Sequence, residues 1–321
     1  SYIGTGYFRR AGPAGMGRVM RALGYSVLGV GNHDLELASS FRNFSATAKA
    51  PLISTNLCGH YDSIKCSSII QVGDLRIGFV GYCDTSALGP AEWRSSLPKT
   101  SCDSKMTDRV IEEAVKLRRT VSIVIALGHC GYDFDTELAT KPVIDAVVGG
   151  HTHLVRHRNK PPVLQAGAAA SHLGVLRLSL NRRGNVTGAR SEMHPLDARK
   201  HHHAIIDDEL ARHAPPVKPP WRSVRQGADA LACRASECSL GNLVADAMAR
   251  SGACHSQRRV PLIALIESGS VRGAVKAGPF GRDEATNVLP WANRLEVVRF
   301  PSVDVLEAFV AFGAQSLKTT G

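Results

Sequence analysis

The chain has 321 residues, a formal net charge of +11 and an apolar fraction of 44%. This length suggests two domains, and the apolar fraction is sufficient for a sizeable core. No apolar run of about 20 residues predicts a membrane-spanning helix. The basic residues are scattered in pairs, without an aromatic-interleaved platform or a groove-reading helix, which argues against nucleic-acid binding.

The first half of the chain has the pattern of an α/β fold. Alternation of apolar residues predicts a hairpin over Gln71–Tyr82, turning at Gly73-Asp74. A helix capped by Thr107 and ending at Arg119 leads into a buried strand over Ser122–Leu127, with Val110, Ile111, Ala114 and Val115 as its apolar stripe. Upstream, a helix over Met16–Leu23 is predicted to lead into a strand over Ser26–Val30.

The second half contains a change of composition. Residues Val163–Leu180 and the turn at 181–184 predict a further strand pair. Residues 196–220 are predicted to be a linker, with one helix near Ile205–His213. Its triple histidine, 201–203, is expected to be a solvated run rather than a metal site. A second domain begins near Trp221, with a helix capped by Ser239 and buried through Leu243, Val244, Ala247 and Met248.

Three polar motifs each follow an apolar run that reads as a buried strand. They are Gly31-Asn32-His33-Asp34, Gly128-His129, and residues 149–153, which contain His151 and His153. Open α/β sheets place their sites at the carboxyl ends of strands. An amide oxygen and imidazoles suit a divalent transition metal such as zinc or manganese. The alternative is that these side chains are buried polar residues satisfied by the backbone.

This ordered set resembles the calcineurin-like metallophosphoesterases. The segments 20–34, 233–248, 266–272 and 288–291 are similar to those of the 5′-nucleotidase family, which includes ecto-5′-nucleotidases and arthropod salivary apyrases. The resemblance implies an α/β fold: a two-sheet metallophosphoesterase sandwich with flanking helices over residues 1–195, and an α/β nucleotide-binding domain over residues 221–321.

The resemblance assigns roles to individual residues in the first domain. Asn32, His129 and His151 would bind one of two divalent metal ions, and His153 the other. Zinc is the first expectation for both, with manganese, magnesium or calcium as alternatives. His33 would face the phosphate, held by Glu36, where the family usually has Asp.

In the second domain, the resemblance implies a substrate site. Arg234 and Arg272 match the family's substrate-binding arginines, and Trp291 matches an aromatic that stacks on the base. Glu267 stands where the family normally has Asn, which leaves the base preference open. The alternatives are an ion pair for each arginine and a core position for Trp291.

Two metal motifs of the family, Asp-x-His and a Gly-Asp with the bridging Asp, do not occur in this chain. The expectation is that the chain starts just past the bridging Asp and lacks the last part of the second domain. By itself it is then expected to be inactive.

The function implied by the resemblance is metal-dependent hydrolysis of AMP to adenosine and phosphate. An apyrase acting on ATP and ADP is the alternative within the enzyme class, and a catalytically inactive nucleotide-binding homologue is the alternative outside it. The expected partner is a nucleotide, whose anionic phosphate the basic surface could attract. Membrane attachment is expected only through a lost lipid anchor, and the oligomeric state stays open.

Eight cysteines are many for a cytosolic enzyme. Cys58 and Cys66 flank a polar loop that a disulfide could close, and the resemblance implies a Cys233–Cys238 bond. Cys130, beside His129, is expected to be inert packing, with coordination of a neighbouring metal by its thiol as the alternative. Together with the glycosylation sequons at Asn43 and Asn185, these residues predict a secreted protein or one at the extracellular cell surface.

Overall fold

The structure is a computed structural model, and it describes residues 6–35, 41–86, 99–197, 203–214, 221–224, 227–228, 233, 237–255, 263–266, 268–291 and 293–318. The helices are α1 (Gly6–Ala22), α2 (Phe41–Ala48), α3 (Ser104–Arg118), α4 (Tyr132–Leu138), α5 (Ala204–Arg212), α6 (Ser239–His255), α7 (Arg282–Val288) and α8 (Val303–Lys318). The strands are β1 (Leu28–Gly29), β2 (Leu52–Ile53), β3 (Ile64–Lys65), β4 (Ser67–Val72), β5 (Leu75–Cys83), β6 (Ile123–His129), β7 (Ala146–Val148), β8 (Val155–Asn159), β9 (Pro162–Ala166), β10 (His172–Leu180), β11 (Val186–Pro195), β12 (Arg222–Val224) and β13 (Gly278–Phe280).

The largest sheet has six strands in the order β4-β5-β6-β7-β9-β8. Its four central strands, β5, β6, β7 and β9, are parallel, and an antiparallel strand closes each edge. Parallel strands are normally buried on both faces, which explains the continuous apolar run over residues 123–127. Because these strands are parallel, their carboxyl ends lie at one edge of the sheet.

Alternating side chains of β5 and β6 bury the two faces of this sheet. On one face, Val80, Tyr82, Val124 and Ala126 pack with Met106, Val110, Ala114 and Leu117 of α3. On the other face, Ile77, Phe79, Ile123 and Ile125 pack with Leu176, Leu178 and Leu180 of the β10–β11 hairpin. The α/β fold class expected from the sequence is confirmed.

A small parallel sheet of β1, β2 and β3 lies beside the large one. Its β2 approaches β5 so closely that a Cβ on Gly81 would fall 2.4 Å from the main chain of Ile53. Strand β1 likewise approaches β6, because a Cβ on Gly29 of β1 would lie 3.2 Å from the side chain of Leu127 in β6. These contacts bring the end of β1 close to the end of β6.

The described residues divide into two compact units. Residues 11–214 form one unit, and residues 6–10 together with those from 221 onward form the other. In the second unit, Leu240, Val244, Val271, Val275 and Val288 form the buried core. The predicted boundaries at 195 and 221 stay a prediction. No helix within the described ranges combines the length and apolar character that crossing a membrane requires.

The helix expected within the linker is present as α5, and it packs on the first unit. Glu209 of α5 is buried, with 4% of its surface exposed. Its carboxylate accepts hydrogen bonds from Nε and Nη2 of Arg18 on α1, at 2.9 and 2.7 Å. Of the three linker histidines, the structure describes His203, which directly precedes α5.

Several predicted element boundaries were wrong. Helix α3 is capped by Asp103, whose Oδ1 accepts from the main-chain N–H groups of Lys105 and Met106, whereas Thr107 lies inside the helix. Val115, predicted to be buried, is 46% exposed because the apolar stripe follows Met106, Val110, Ala114 and Leu117.

The buried face of α6 also differs from the predicted one. Leu240 and Val244 are buried with Met248 packed against them, whereas Leu243 is 56% exposed. Near the N-terminus, α1 is kinked at Gly12, which has a non-helical φ of 66° and is followed by Pro13, and a separate helical segment precedes the kink back to Gly6. Strand β1 covers only two of the five predicted residues, since β2 is its only partner among the described strands and pairs with it over two residues.

Disulfide bonds join Cys58 to Cys66 and Cys233 to Cys238, as expected. The expectation for Cys130 was wrong, because it is bonded to Cys102. The partner lies 28 residues earlier in the chain, and only the fold brings the two together. This bond anchors the segment after His129 to the loop before α3. Cys83, at the end of β5, is a buried free thiol.

Candidate functional site

Two predicted ligands meet at the carboxyl edge of the large sheet. His129 is the last residue of β6, and the neighbouring parallel strand β7 ends directly before residues 149–153. The imidazoles of His129 and His151 lie with their centroids 5.1 Å apart and their planes at 79°. Adjacent strand ends thus bring together histidines that are 22 residues apart in the sequence.

The loop that carries Asn32 lies against the same histidine. A Cβ on Gly31 would fall 3.4 Å from three atoms of the His129 ring. The carbonyl oxygen Oδ1 of Asn32 is buried and has no hydrogen-bond partner among the residues that the structure describes. A buried polar group left without a partner costs about 1–3 kcal/mol. An oxygen of this kind is available to a cation.

The environment of His129 favours the neutral imidazole. Burial lowers the pKa of His129 well below its usual value, and the nearby rings of His151, His153 and His33 lower it further. A metal-bound histidine must be neutral at the coordinating nitrogen. The site therefore keeps this ring in the protonation state that a metal requires.

The backbone of the 149–153 segment is strained at both histidines. His151 has a φ of 84° and His153 a φ of 63°, in the left-handed region that residues with a side chain seldom adopt. Such conformations cost about 1–3 kcal/mol each and persist only where the surroundings impose them. They accumulate at functional sites, which is where these two residues were predicted to be.

The donors present fit a divalent transition metal in kind: one amide oxygen and neutral imidazoles. Within the described residues, no group of three or more His, Cys, Asp or Glu has the arrangement to hold a metal ion. The metal site predicted from the sequence therefore stays a prediction.

His33 lies on a 3-10 turn that follows the end of β1. The turn is closed by Asp34, whose Oδ2 accepts from the main-chain N–H of Gly31 at 2.9 Å. Asp34 is buried, and this bond fixes the chain on both sides of Asn32 and His33. Glu36, predicted to hold His33, is outside the described residues.

In the second unit, two predicted substrate residues contact each other. The guanidinium carbon of Arg272 lies 5.2 Å from the centroid of the Trp291 ring, in the geometry of a cation–π contact. The Arg272 main-chain N–H also donates to the carbonyl of Val288 at 2.8 Å. Arg234 and Glu267 are outside the described residues.

A buried polar network behind the histidines was not foreseen from the sequence. Asp135 of α4, Tyr82 of β5 and Gln165 of β9 each have at most 1% of their surface exposed. The Tyr82 hydroxyl donates to Asp135 Oδ1 at 2.6 Å, and Gln165 Nε2 donates to Asp135 Oδ2 at 2.5 Å. One feature of the sequence could have indicated that Asp135 is buried. Asp135 lies three residues before Leu138, so the two side chains share the inward face of α4.

Asp135 is expected to make stability depend on pH. Burial raises its pKa from 3.8 to about 7, against the hydrogen bonds from Tyr82 and Gln165 that lower it. The native state therefore binds this proton more tightly than the unfolded state, so its contribution to stability falls as pH rises from about 4 to about 7. The full shift corresponds to about 4 kcal/mol.

Asp135→Asn should remove this dependence in the metal-free protein. The free energy of unfolding is measured in urea at pH 5 and pH 8 for both proteins. The value for Asp135→Asn minus the value for the native chain should be larger at pH 8 than at pH 5. The control is Asp133→Asn, which changes an exposed acid of the same helix. A difference between native and Asp135→Asn that is constant across this pH range would contradict the raised pKa.

Comparison with known families gives a match in the second unit. Residues 217–309 match the model of the 5′-nucleotidase C-terminal domain. Over these residues, the chain is similar to the 5′-nucleotidase C-terminal domain. The resemblance to the 5′-nucleotidase family that the sequence motifs predicted is confirmed.

Curated 5′-nucleotidases are similar to the chain well beyond that domain. Protein 5NUC of Lutzomyia longipalpis is 24% identical over 94% of this chain. The human 5′-nucleotidase is 24% identical over 96% of this chain. A snake venom 5′-nucleotidase of Gloydius brevicauda is 25% identical over 96%. The chain spans about 60% of the length of these relatives.

Solved structures of a 5′-nucleotidase precursor and of an NAD nucleotidase share the fold. The 5′-nucleotidase precursor of Thermus thermophilus superposes with a TM-score of 0.75 at 21% identity, covering 89% of this chain and 62% of that one. The NAD nucleotidase of Haemophilus influenzae gives a TM-score of 0.55 at 17% identity, covering 90% and 64%. The relatives named as 5′-nucleotidases support a nucleotidase or phosphoesterase family for this chain.

Proposed function

We propose that the protein of which this chain is a part hydrolyses the 5′-phosphate ester of AMP, in a reaction that requires divalent metal ions. The observation that carries the proposal is the buried Oδ1 of Asn32, which has no hydrogen-bond partner among the described residues and belongs to a loop that lies against His129. The ring of His129 in turn lies beside that of His151. The names of the curated relatives supply the substrate class. Their similarity extends over nearly all of the chain.

The residues of the first unit would hold the metal ions. Asn32, His129 and His151 are assigned to one ion and His153 to the other. Zinc and manganese suit this donor set. When bound, the ions supply Lewis-acid charge and lower the pKa of a coordinated water. The neutral state of His129 and the unpartnered oxygen of Asn32 support this assignment.

His33 is proposed to act on the phosphate. It follows the proposed ligand Asn32 directly, on the turn that the Asp34–Gly31 hydrogen bond closes. A donor fixed in this way can stabilise the charge that develops on a phosphoryl oxygen without reorganising during the reaction. Glu36 is the proposed partner that orients the imidazole.

Trp291 is proposed to stack on the nucleobase, with Arg272 holding the ring in place through the cation–π contact. Arg234 and Glu267 are further proposed contacts to the substrate. For localisation, the proposal is an extracellular protein. Three disulfides support it, because such bonds persist in oxidising compartments. The venom relative is named for an extracellular source.

The proposal is tested by phosphate release from AMP, ADP and ATP, using the full-length protein. Phosphate should be released from AMP, cease after chelation, and return when zinc or manganese is added. Release from ATP and ADP but not AMP would replace the proposal with an apyrase. Binding of AMP without release in any metal would replace it with a nucleotide-binding protein.

A further inference from the structure

Asp135 lies where three elements of the fold meet behind the histidine segment 149–153. It belongs to α4, the short helix that follows His129, and none of its surface is exposed. Both carboxylate oxygens are engaged, one by Tyr82 of β5 and the other by Gln165 of β9. A fully buried carboxylate is costly, and an apolar side chain at this position would avoid the desolvation.

Gln165 connects this carboxylate to the histidine segment. Its Nε2 also donates to the carbonyl of Gly150 at 3.1 Å, and its Oε1 accepts from the Thr152 hydroxyl at 2.5 Å. Gly150 and Thr152 flank His151 in the chain, and Thr152 also precedes His153. The orientation of the Gln165 amide is determined by these partners, since a carbonyl can only accept and the NH₂ must face it.

The main chain of the segment passes directly over the carboxylate. A Cβ on Gly149 would fall 1.6 Å from Asp135 Oδ2, so only glycine allows this approach. The start of α4 is tied to the same segment, because the Gly131 N–H donates to the Gly150 carbonyl at 3.1 Å. These contacts surround the two residues, His151 and His153, that adopt left-handed backbone conformations.

We propose that Asp135, acting with Tyr82 and Gln165, is a positioning residue that fixes the 149–153 segment so that His151 and His153 face the metal site. The inference rests on the proposed function, because it takes these histidines as metal ligands. It explains why a buried carboxylate stands where a leucine would pack at lower cost. A network in which every member is satisfied defines one arrangement of the segment.

The first variant is Asp135→Asn. It keeps the shape of the side chain, but it replaces one acceptor with a donor. Both Tyr82 and Gln165 donate to Asp135, so one of those two donors loses its acceptor. Removing such a supporting partner typically weakens metal binding by about 10–100-fold.

A second, milder variant pair tests the other end of the network. Thr152→Val removes the hydroxyl that donates to Gln165 at nearly constant volume, whereas Thr152→Ser keeps it. The pair decides the question if Asp135→Asn does not fold. Asp133→Asn serves as the control on α4, since that acid is exposed.

The experiment uses the full-length protein and two readouts that do not depend on activity. Zinc affinity is measured by competition with a chromophoric chelator, and the visible spectrum of the cobalt-substituted protein reports the ligand geometry. Asp135→Asn and Thr152→Val should each bind zinc about 10–100-fold more weakly, with an altered cobalt spectrum. Asp133→Asn and Thr152→Ser should behave as the native protein.

Native zinc affinity and an unchanged cobalt spectrum in Asp135→Asn and Thr152→Val would overturn the inference. If the native protein bound no metal, the proposed function would fail instead. The positioning role would then be decided by hydrogen exchange of the metal-free protein. Faster exchange of residues 149–153 in Asp135→Asn supports positioning, and unchanged exchange overturns it.

Discussion

Phosphate release from AMP by the full-length protein should fall by about 10³-fold or more when His129 is replaced by alanine. His129 ends β6, contacts the ring of His151, and is held neutral by burial. Its loss removes a proposed ligand and leaves a gap between the segments that carry Asn32 and His151. Metal affinity should fall in parallel, measured by zinc competition on the same preparation.

His60→Ala is the matched control, because His60 is an exposed histidine of the same unit. It should leave both metal affinity and phosphate release unchanged. Folding of His129→Ala is checked by its unfolding curve and by the intact Cys102–Cys130 bond beside it. Native metal affinity in a folded His129→Ala protein would rule out the proposed ligand set.

His33→Ala and Trp291→Ala should affect different kinetic constants of the full-length protein. His33 is proposed to interact with charge that develops in the transition state, so its loss should lower kcat by roughly 10²–10³-fold. Trp291 is proposed to stack on the base in ground and transition states alike. A stacking contribution of about 1–3 kcal/mol predicts a KM raised by roughly 5–150-fold with little change in kcat.

Trp291→Phe is the control for the second variant, because it keeps an aromatic face beside Arg272. It should raise KM less than Trp291→Ala does. Steady-state kinetics with AMP, under metal saturation, separates the two constants. The assigned roles would be wrong if both alanine variants changed KM alone, or if Trp291→Ala left the hydrolysis of AMP unaffected.

The strand-end histidines could be predicted because the signal is local. An apolar run followed by Gly-His or by Gly-Gly-His-Thr-His indicates a buried strand and the polar residues at its end. In parallel strands those ends lie at one edge, which places His129 and His151 together without knowledge of any other contact. The start of α3 was predicted less well. Asp103 and Thr107 are both suitable N-cap residues, and only the folded structure shows that the helix begins after Asp103.

Asp135 could not be assigned from the sequence because its partners are distant along the chain. Tyr82 lies 53 residues before it and Gln165 lies 30 residues after it. The sequence shows an acid, a tyrosine and a glutamine that would each be ordinary on a surface. Their shared burial, and the close approach of Gly149, exist only once the strands have paired.

The sequence by itself determined the α/β class, the polar residues at three strand ends and the resemblance of the second unit to 5′-nucleotidases. These follow from apolar periodicity and short motifs, which depend on neighbouring residues. The tertiary structure alone decided the Cys102–Cys130 bond, the exposure of Val115 and Leu243, and the network that joins Asp135 to the histidine segment. Each of these depends on how far-separated segments exclude water from one another, and that is a property of the packed chain rather than of any local pattern.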